Sequence, residues 1–274
     1  MTADLPARSP GPGAYADVNG LHLYYETHGA GRPLVLLHGG LGSGEMFGPV
    51  TERLAEGRLV IAPDLQGHGR TADVDRPITL EAIADDIAAL VAHLGHEQVD
   101  VMGYSFGGGV ALQVAVRHPQ LVRRLVLVST HLRRSAWYPE MRNQPGPSAA
   151  AEPFMKDTPM YQLYARVAPR PEDFGRLLDK MGAWLAWDFD FTAEFAALSM
   201  PTLFVAADAD MFPPSHAAEA FALLGGGQRD GGWKGEGRPA GGHALAILPG
   251  LTHYDICSSP LLAEAAIGFL DTSR

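Results

Sequence analysis

Short, largely apolar runs recur along the chain, separated by segments of mixed polarity. Runs of this length and composition are typical of strands buried on both faces of a parallel sheet. We predict six such strands, at residues 34–37, 59–61, 99–102, 125–128, 203–206 and 244–248. Ahead of them, Asn19 and Gly20 separate two strand-like runs, which predicts an antiparallel hairpin at one edge of the sheet.

Helical patterns lie between several of the predicted strands. The strongest is a single apolar stripe with helical periodicity, formed by Leu80, Ile83, Ile87, Leu90, Val91 and Leu94. A last helix is predicted to begin after Ser259 as N-cap, with Pro260 at its first position. This alternation indicates an α/β fold, a doubly wound and mostly parallel sheet of about eight strands with helices on both faces.

One long segment interrupts the alternation. Residues 131–197 contain many proline and aromatic residues but no strand-like run, which predicts a helical insertion between two strands of the core. The core is therefore expected at residues 15–130 and 198–274. Residues 1–14 are predicted to form a flexible tail, and the glycine-rich residues 225–242 a flexible loop.

Composition narrows the classes of function. The formal net charge of -10, from 21 basic and 31 acidic side chains, argues against a nucleic-acid partner. No apolar segment approaches the ~20 residues that span a bilayer, and the N-terminus lacks the apolar region of a signal peptide. The single cysteine, Cys257, cannot form an intramolecular disulfide, which is typical of a reducing compartment. We expect a cytoplasmic protein without a membrane partner.

The segment Gly103-Tyr104-Ser105-Phe106-Gly107 matches the pattern G-x-S-x-G. It follows the predicted strand 99–102 and precedes a helix-like stretch at residues 110–116. This is the setting of a nucleophile elbow, in which a serine occupies a strained turn between strand and helix. Small residues two positions to either side allow the strand and the helix to approach closely. We therefore expect Ser105 to be a nucleophile.

Further motifs follow the other predicted strands. They are His38-Gly39-Gly40, the segment Asp64-Leu65-Gln66-Gly67-His68-Gly69, the segment Asp208-Ala209-Asp210, and His253 shortly before the last helix. With these pieces and the elbow, the chain resembles the α/β-hydrolase family over residues 15–272. The order of nucleophile, acid and histidine along the chain is also the order of that family.

A serine hydroxyl needs a base within hydrogen-bond reach, and that base needs a carboxylate to fix its tautomer. We expect His253 to be the base because it follows the apolar run 244–248 by a short Pro-Gly loop, at the sheet edge where the elbow lies. Asp210 and Asp208 are the two candidates for this acid; the resemblance implies Asp210, and Asp208 is then expected to cap the turn. The resemblance also implies an oxyanion hole made by the backbone N–H groups of Phe106 and Gly40.

The aromatic insertion is expected to form a cap over the serine. The candidate pocket residues are Leu41, Trp184, Phe212 and Tyr254. An apolar roof of this kind favours uncharged substrates, because burying a carboxylate without a partner costs several kcal/mol. We prefer Trp184 to Trp137 as a pocket wall.

The expected function is hydrolysis of small to medium uncharged carboxylic esters or lactones through an acyl-enzyme. The alternatives are a carbon–carbon bond hydrolase or a perhydrolase with the same triad, or a non-catalytic receptor that retains it. Carbon–carbon hydrolases of the family place Trp after the histidine, where this chain has Tyr254. Epoxide hydrolases and haloalkane dehalogenases of this fold use an aspartate nucleophile, which Ser105 disfavours. We expect no cofactor and no metal, since the sequence contains no H-E-x-x-H, C-x-x-C or phosphate loop.

Overall fold

The sheet contains all six strands predicted from the apolar runs. The computed structural model describes residues 13–272. The strands are β1 (Gly13–Val18), β2 (Leu21–His28), β3 (Arg32–Leu37), β4 (Arg58–Pro63), β5 (Val99–Tyr104), β6 (Val122–Val128), β7 (Thr202–Ala209) and β8 (Ala244–Thr252). Each apolar run lies inside one of β3 to β8, so those predictions are confirmed.

The eight strands form one sheet in the order β1-β2-β4-β3-β5-β6-β7-β8. β1 and β2 are antiparallel, as are β2 and β4, whereas all pairs from β4 to β8 are parallel. Asn19 and Gly20 have φ values of 49° and 77°, which gives the predicted hairpin its turn. The chain adds β4 on one side of β3 and then adds β5 on the other side, so the order of strand addition reverses between β3 and β5. In open α/β sheets, ligands bind at such a switch point, outside the carboxyl ends of the strands.

Helices cover both faces of the sheet. They are α1 (Pro49–Ala55), α2 (Leu80–His93), α3 (Phe106–Arg117), α4 (Pro139–Arg142), α5 (Glu152–Met155), α6 (Pro159–Val167), α7 (Phe174–Ala186), α8 (Thr192–Ala196), α9 (Pro214–Leu223) and α10 (Pro260–Leu270). The predicted apolar stripe lies on α2. Ser259 caps α10, since its side chain accepts a hydrogen bond from the backbone N–H of Leu261.

β3 shows why the apolar runs are continuous. Val35 and Leu37 pack on one face of the sheet, where α2, α3 and α9 lie. Leu34 and Leu36 pack on the other face, against α1 and α10. All four side chains are fully buried, because alternate residues of a strand point to opposite faces and both faces are covered. The fold class predicted from the sequence is thereby confirmed.

Some boundaries differ from those expected. β1 begins at Gly13, inside the predicted tail, and residues 1–12 of that tail lie outside the described residues. Pro249 and Gly250 do not form a loop but continue β8 to Thr252. The carboxylate of Asp208 accepts hydrogen bonds from the backbone N–H groups of Gly250 (3.0 Å) and Leu251 (3.2 Å), which holds this irregular end of the strand against β7.

The helical insertion (residues 131–197) lies between β6 and β7 and contains α4 to α8. It is attached to the core by ion pairs. The ammonium of Lys180 on α7 lies 2.7 Å from the nearer carboxylate oxygen of Asp73, a buried residue of the loop between β4 and α2. The same ammonium donates to the carbonyl oxygens of Val74 (2.8 Å) and Arg76 (2.6 Å). These bonds fix α7 above the carboxyl edge of the sheet.

Within residues 13–272, no helix is both long and apolar enough to cross a membrane.

Candidate active site

Ser105 lies at the junction of β5 and α3, in a backbone conformation that L-residues rarely adopt (φ 53°, ψ -117°). The neighbouring glycines explain how this turn fits. A Cβ on Gly103 would lie 2.1 Å from the carbonyl oxygen of Gly107, and a Cβ on Gly107 would lie 2.4 Å from the carbonyl oxygen of His38. Only glycine fits at either position, so the G-x-S-x-G spacing follows from close packing of strand, helix and the segment after β3.

The three residues predicted to act together are adjacent in space. The Oγ atom of Ser105 lies 3.0 Å from Nε2 of His253, and Nδ1 of His253 lies 2.8 Å from Oδ1 of Asp210. Ser105 follows β5, Asp210 follows β7, and His253 follows β8 directly. Parallel strands bring their carboxyl ends to one edge, which is why residues far apart in the chain meet here.

Asp210 is buried and held by four donors. Besides His253, the hydroxyl of Ser129 donates to Oδ2 at 2.5 Å, and the backbone N–H groups of Ala207 and Met211 donate at 3.1 and 2.8 Å. Burial disfavours the ionised carboxylate, but the hydrogen bonds and the charge of His253 outweigh it, so the pKa of Asp210 lies below its ordinary value. Asp208 is exposed and accepts hydrogen bonds from backbone N–H groups, as a residue that caps the turn would.

Backbone strain is concentrated around this group. Among residues 13–272, four non-glycine residues have positive φ: Asn19 in the hairpin, Leu41, Ser105 and Ser129. Leu41 (φ 59°) follows β3, and Ser129 (φ 48°) follows β6. Such conformations cost ~1–3 kcal/mol each and persist where the surrounding structure enforces them. Three of the four lie at the carboxyl edge of the sheet, beside the Ser105 turn.

Two backbone N–H groups could stabilise an oxyanion next to Ser105. Phe106 is the first residue of α3, where an N–H has no partner within the helix. Gly40 belongs to a turn closed by a hydrogen bond from Gly42 N–H to the Gly39 carbonyl (3.2 Å). A Cβ on Gly40 would lie 3.7 Å from Cβ of Phe106, so the two segments are in contact.

Several residues of the site were missed from the sequence. The hydroxyl of Tyr104 donates to the carbonyl oxygen of His253 at 2.6 Å. The hydroxyl of Thr130 lies 3.2 Å from the carbonyl oxygens of both Ser105 and Val128 and shares its one hydrogen between them. Ser129, Thr130 and His131 directly follow the apolar run of β6. Their position at the carboxyl end of a parallel strand, where ligand sites of such sheets lie, is the signal that points to them.

A small cavity of about 10 Å³ lies beside Ser105, with room for little more than one water molecule. Its walls are formed by Leu80, Ser105, Gly109, Thr130, His131, Trp184, Phe189 and Phe191. Trp184 therefore lines the cavity, as predicted, and its ring meets Phe106 edge-on at 4.9 Å. Trp137 packs instead against the ring of His131, at 4.5 Å.

The other three predicted pocket residues lie outside this cavity. Phe212 is 1% exposed and packs in the core against Phe204 and His216, so the structure does not support a pocket role for it. Leu41 packs against the edge of the core. Tyr254 is 73% exposed, with its ring edge-on to His253 at 5.6 Å. Their apolar or aromatic character fits core, edge and surface equally well, so composition alone does not place them.

His38 and His68 are fully buried and shape loops. Nδ1 of His38 lies 2.8 Å from the Gly39 carbonyl oxygen, and its Nε2 accepts a 3.0 Å hydrogen bond from the backbone N–H of Leu65. Burial lowers the pKa of His38 to about 3 and that of His68 to about 4, so both are neutral. In residues 13–272, no group of three or more His, Cys, Asp or Glu side chains is arranged to hold a metal ion.

A family model for the alpha/beta hydrolase fold matches residues 32–226, which is more than half of the chain. The chain therefore belongs to the α/β-hydrolase family.

Individual relatives differ in chemistry. The chain is 42% identical over 116 residues to the soluble epoxide hydrolase of Corynebacterium sp. (strain C12), covering 41% of this chain and 40% of that protein. It is 37% identical over 131 residues to the 2-hydroxymuconate semialdehyde hydrolase of Pseudomonas sp. (strain CF600), covering 46% of each. The match thus spans less than half the length of these curated relatives.

Among solved structures, a thermophilic esterase from Thermogutta terrifontis, bound to malate, superposes with a TM-score of 0.69. It is 24% identical to this chain, covering 95% of this chain and 98% of the esterase. At that identity the likeness concerns the fold.

Proposed function

We propose that the protein is a serine hydrolase that cleaves small to medium uncharged carboxylic esters or lactones through an acyl-enzyme. The observation that carries this proposal is the linear arrangement of Ser105 Oγ, the His253 ring and Asp210, with contacts of 3.0 and 2.8 Å. A hydroxyl paired in this way with an imidazole, which a carboxylate orients in turn, is the arrangement that activates serine for attack on a carbonyl.

In the proposed reaction, Ser105 Oγ bonds to the carbonyl carbon while its proton passes to Nε2 of His253. The negative oxygen that results is stabilised by the N–H groups of Phe106 and Gly40. The imidazolium then gives its proton to the leaving alkoxide, and the carbon–oxygen bond of the ester breaks. Water attacks the acyl-enzyme with His253 again as base, which releases the acid and restores Ser105.

Three further residues take part in this cycle by holding His253 or Ser105 in position. Asp210, ionised because its pKa is lowered, stabilises the imidazolium and fixes the tautomer that exposes Nε2 to Ser105. Tyr104 anchors the backbone of His253 through the 2.6 Å bond to its carbonyl oxygen. Thr130 holds the carbonyl oxygen of Ser105 and so supports the strained turn.

The cavity supports an uncharged substrate. Leu80, Phe189 and Phe191 supply apolar walls, and none of the lining residues carries a carboxylate, an ammonium or a guanidinium. A free carboxylate buried there without a partner would cost several kcal/mol. The volume of about 10 Å³ is far below the ~300–1,000 Å³ of drug-sized ligand sites, so this part of the site holds only a small group.

A carbon–carbon bond hydrolase is the second candidate. It is favoured by the 37% identity to a 2-hydroxymuconate semialdehyde hydrolase. The same three residues could serve such a reaction. However, Tyr254 occupies the position at which the resembled carbon–carbon hydrolases carry Trp, and it is 73% exposed. Esters are therefore the first substrates to test.

The test is turnover of p-nitrophenyl esters of graded acyl length, combined with labelling by a fluorophosphonate that reacts with activated serines. Wild type should show multiple turnovers, and mass spectrometry should place the label on Ser105. Ser105→Ala should lose hydrolysis and labelling while remaining folded, whereas Ser258→Ala, a serine outside the site, should behave as wild type.

More than ~1% residual hydrolysis in Ser105→Ala would contradict the assignment of the nucleophile. If wild type is labelled at Ser105 but turns over no ester, the ester proposal is wrong and a carbon–carbon substrate becomes the next test.

A further inference from the structure

Two residues that line the cavity beside Ser105 each carry a buried nitrogen atom with no hydrogen-bond partner. They are Trp184, through Nε1, and His131, through Nε2. Polar atoms in protein interiors are nearly always paired, and an unpaired one costs free energy. Because both residues line the same cavity, a small polar group that enters it can supply the missing partner.

The two side chains are fixed relative to the reacting group. The indole of Trp184 rests edge-on against Phe106, the residue after Ser105, with ring centroids 4.9 Å apart. His131 lies two residues after Ser129, whose hydroxyl bonds Asp210. Phe189 packs against both rings, at 5.2 Å from His131 and 6.1 Å from Trp184. Because Ser105 lines the same cavity, a group bonded to either residue there would lie beside Ser105.

The side chains of Trp184 and His131 are both uncharged. An indole N–H can only donate, whereas an imidazole nitrogen donates or accepts according to its tautomer. Burial, together with the neighbouring His253, His216 and Arg134, lowers the pKa of His131 to about 3 against the opposing effect of Asp210. The His131 ring is therefore neutral near pH 7.

We propose, resting on the serine-hydrolase function above, that the substrate carries an uncharged oxygen, a ketone or hydroxyl, which accepts a hydrogen bond from Trp184 Nε1 and bonds His131 Nε2. The preferred substrates are then oxo- or hydroxy-substituted esters and lactones rather than plain alkyl ones. A ketone oxygen accepts from both nitrogens, and a hydroxyl accepts from Trp184 while donating to His131.

An unpaired indole nitrogen is not sufficient by itself. Nε1 of Trp137 is also buried without a partner, and both tryptophans are 8% exposed. Trp137, however, does not line the cavity. It therefore provides a matched control for the same chemical change.

The experiment compares esters of equal chain length with and without the extra oxygen. p-Nitrophenyl pentanoate is paired with p-nitrophenyl levulinate, which adds one ketone oxygen to the acyl chain. The acetates of a plain and an oxo-substituted butanol make the corresponding alcohol-side pair. For wild type, kcat/KM should be roughly 3- to 10-fold higher for the oxo member of one pair, the effect of one to two uncharged hydrogen bonds.

Trp184→Phe and His131→Phe each remove the ring nitrogens and leave an aromatic side chain at the position. Each should lower kcat/KM more for the oxo ester than for the plain ester, so that the ratio falls towards one. Trp137→Phe should leave the ratio as in wild type. Thermal melting shows which variants are folded, and the wild-type ratios stand as a test that needs no variant.

Wild-type ratios near one in both pairs would overturn the inference, as would a preference that survives Trp184→Phe and His131→Phe. In either case esters are still hydrolysed and the proposed function stands. If wild type hydrolyses no ester at all, the proposed function fails first and this inference with it.

Discussion

The hydroxyl of Ser129 donates a 2.5 Å hydrogen bond to Oδ2 of Asp210, while Oδ1 of the same carboxylate lies 2.8 Å from the His253 ring. Ser129 is fully buried and keeps a left-handed backbone (φ 48°) at the end of β6. One oxygen of the carboxylate is thereby anchored to the sheet, which leaves the other aimed at the imidazole. Ser129 is a positioning residue in the proposed reaction.

Removal of the Ser129 hydroxyl should have a pH-dependent effect on stability. The pKa of folded Asp210 is lowered, so its contribution to stability is present above its unfolded pKa of ~3.9 and is lost as the pH falls through the folded value. Ser129→Ala should therefore cost about 1.5–3 kcal/mol in urea unfolding near pH 7, and less near pH 3. Turnover should also fall, because the carboxylate is less well oriented.

The control for this effect is the same substitution in an Asp210→Asn background. There the loss of stability should be independent of pH, since no carboxylate remains to titrate. A loss that is equally pH-dependent in both backgrounds would show that Ser129 acts through another group.

The two aspartates after β7 should differ sharply in activity. Asp210→Asn should reduce kcat by ~10³- to 10⁴-fold, because an amide favours the wrong imidazole tautomer. Asp208→Asn should leave most activity, because Asp208 accepts only the N–H groups of Gly250 and Leu251. Steady-state kinetics on one ester decide the matter, and comparable losses in both variants would contradict the assignment of Asp210.

The close packing of the elbow should make Gly107 intolerant of any side chain. In Gly107→Ala, the new Cβ would lie 2.4 Å from the carbonyl oxygens of Leu37 and His38, and backbone cannot yield as a flexible side chain can. We expect a loss of about 3 kcal/mol or more in chemical unfolding.

Gly268 on α10 is the matched control, since a Cβ there meets nothing within 4 Å. Gly268→Ala should raise stability by up to about 1 kcal/mol, because alanine has the higher helix propensity. Equal losses in the two variants would contradict the packing argument.

The helical insertion should depend on Lys180. Lys180→Met leaves the buried carboxylate of Asp73 with Arg176 as its remaining cationic partner, at 2.9 Å. We expect a loss of about 1–3 kcal/mol in urea unfolding, and an increase in KM because α7 carries the cavity wall Trp184.

Arg166, also on the insertion, pairs with Glu45 at 2.6 Å but is 59% exposed. Arg166→Met should cost less than ~1 kcal/mol, as exposed ion pairs do. If both variants changed stability equally, burial of Asp73 would not be what makes the Lys180 contact matter.

The amino-acid pattern alone was enough to predict the sheet and the elbow. A strand covered on both faces has to be apolar at nearly every position, so β3 and β6 are visible as continuous runs. The turn at Ser105 excludes every side chain at Gly103 and Gly107, so its geometry appears in the sequence as two fixed glycines. These are local requirements, and local requirements can be recognised from neighbouring residues.

What surrounds Ser105 was decided by tertiary structure. Ser129 and Asp210 are 81 positions apart in the sequence, and Tyr104 and His253 are 149 apart, so no spacing along the chain predicts either hydrogen bond. Phe212 and Trp184 are both large and apolar, yet one is in the core and the other lines the cavity. The difference arises from where α7 is held over the sheet edge. The free energy of burial depends on the apolar area covered and not on which neighbour covers it, so the sequence does not show which of the two side chains meets the cavity.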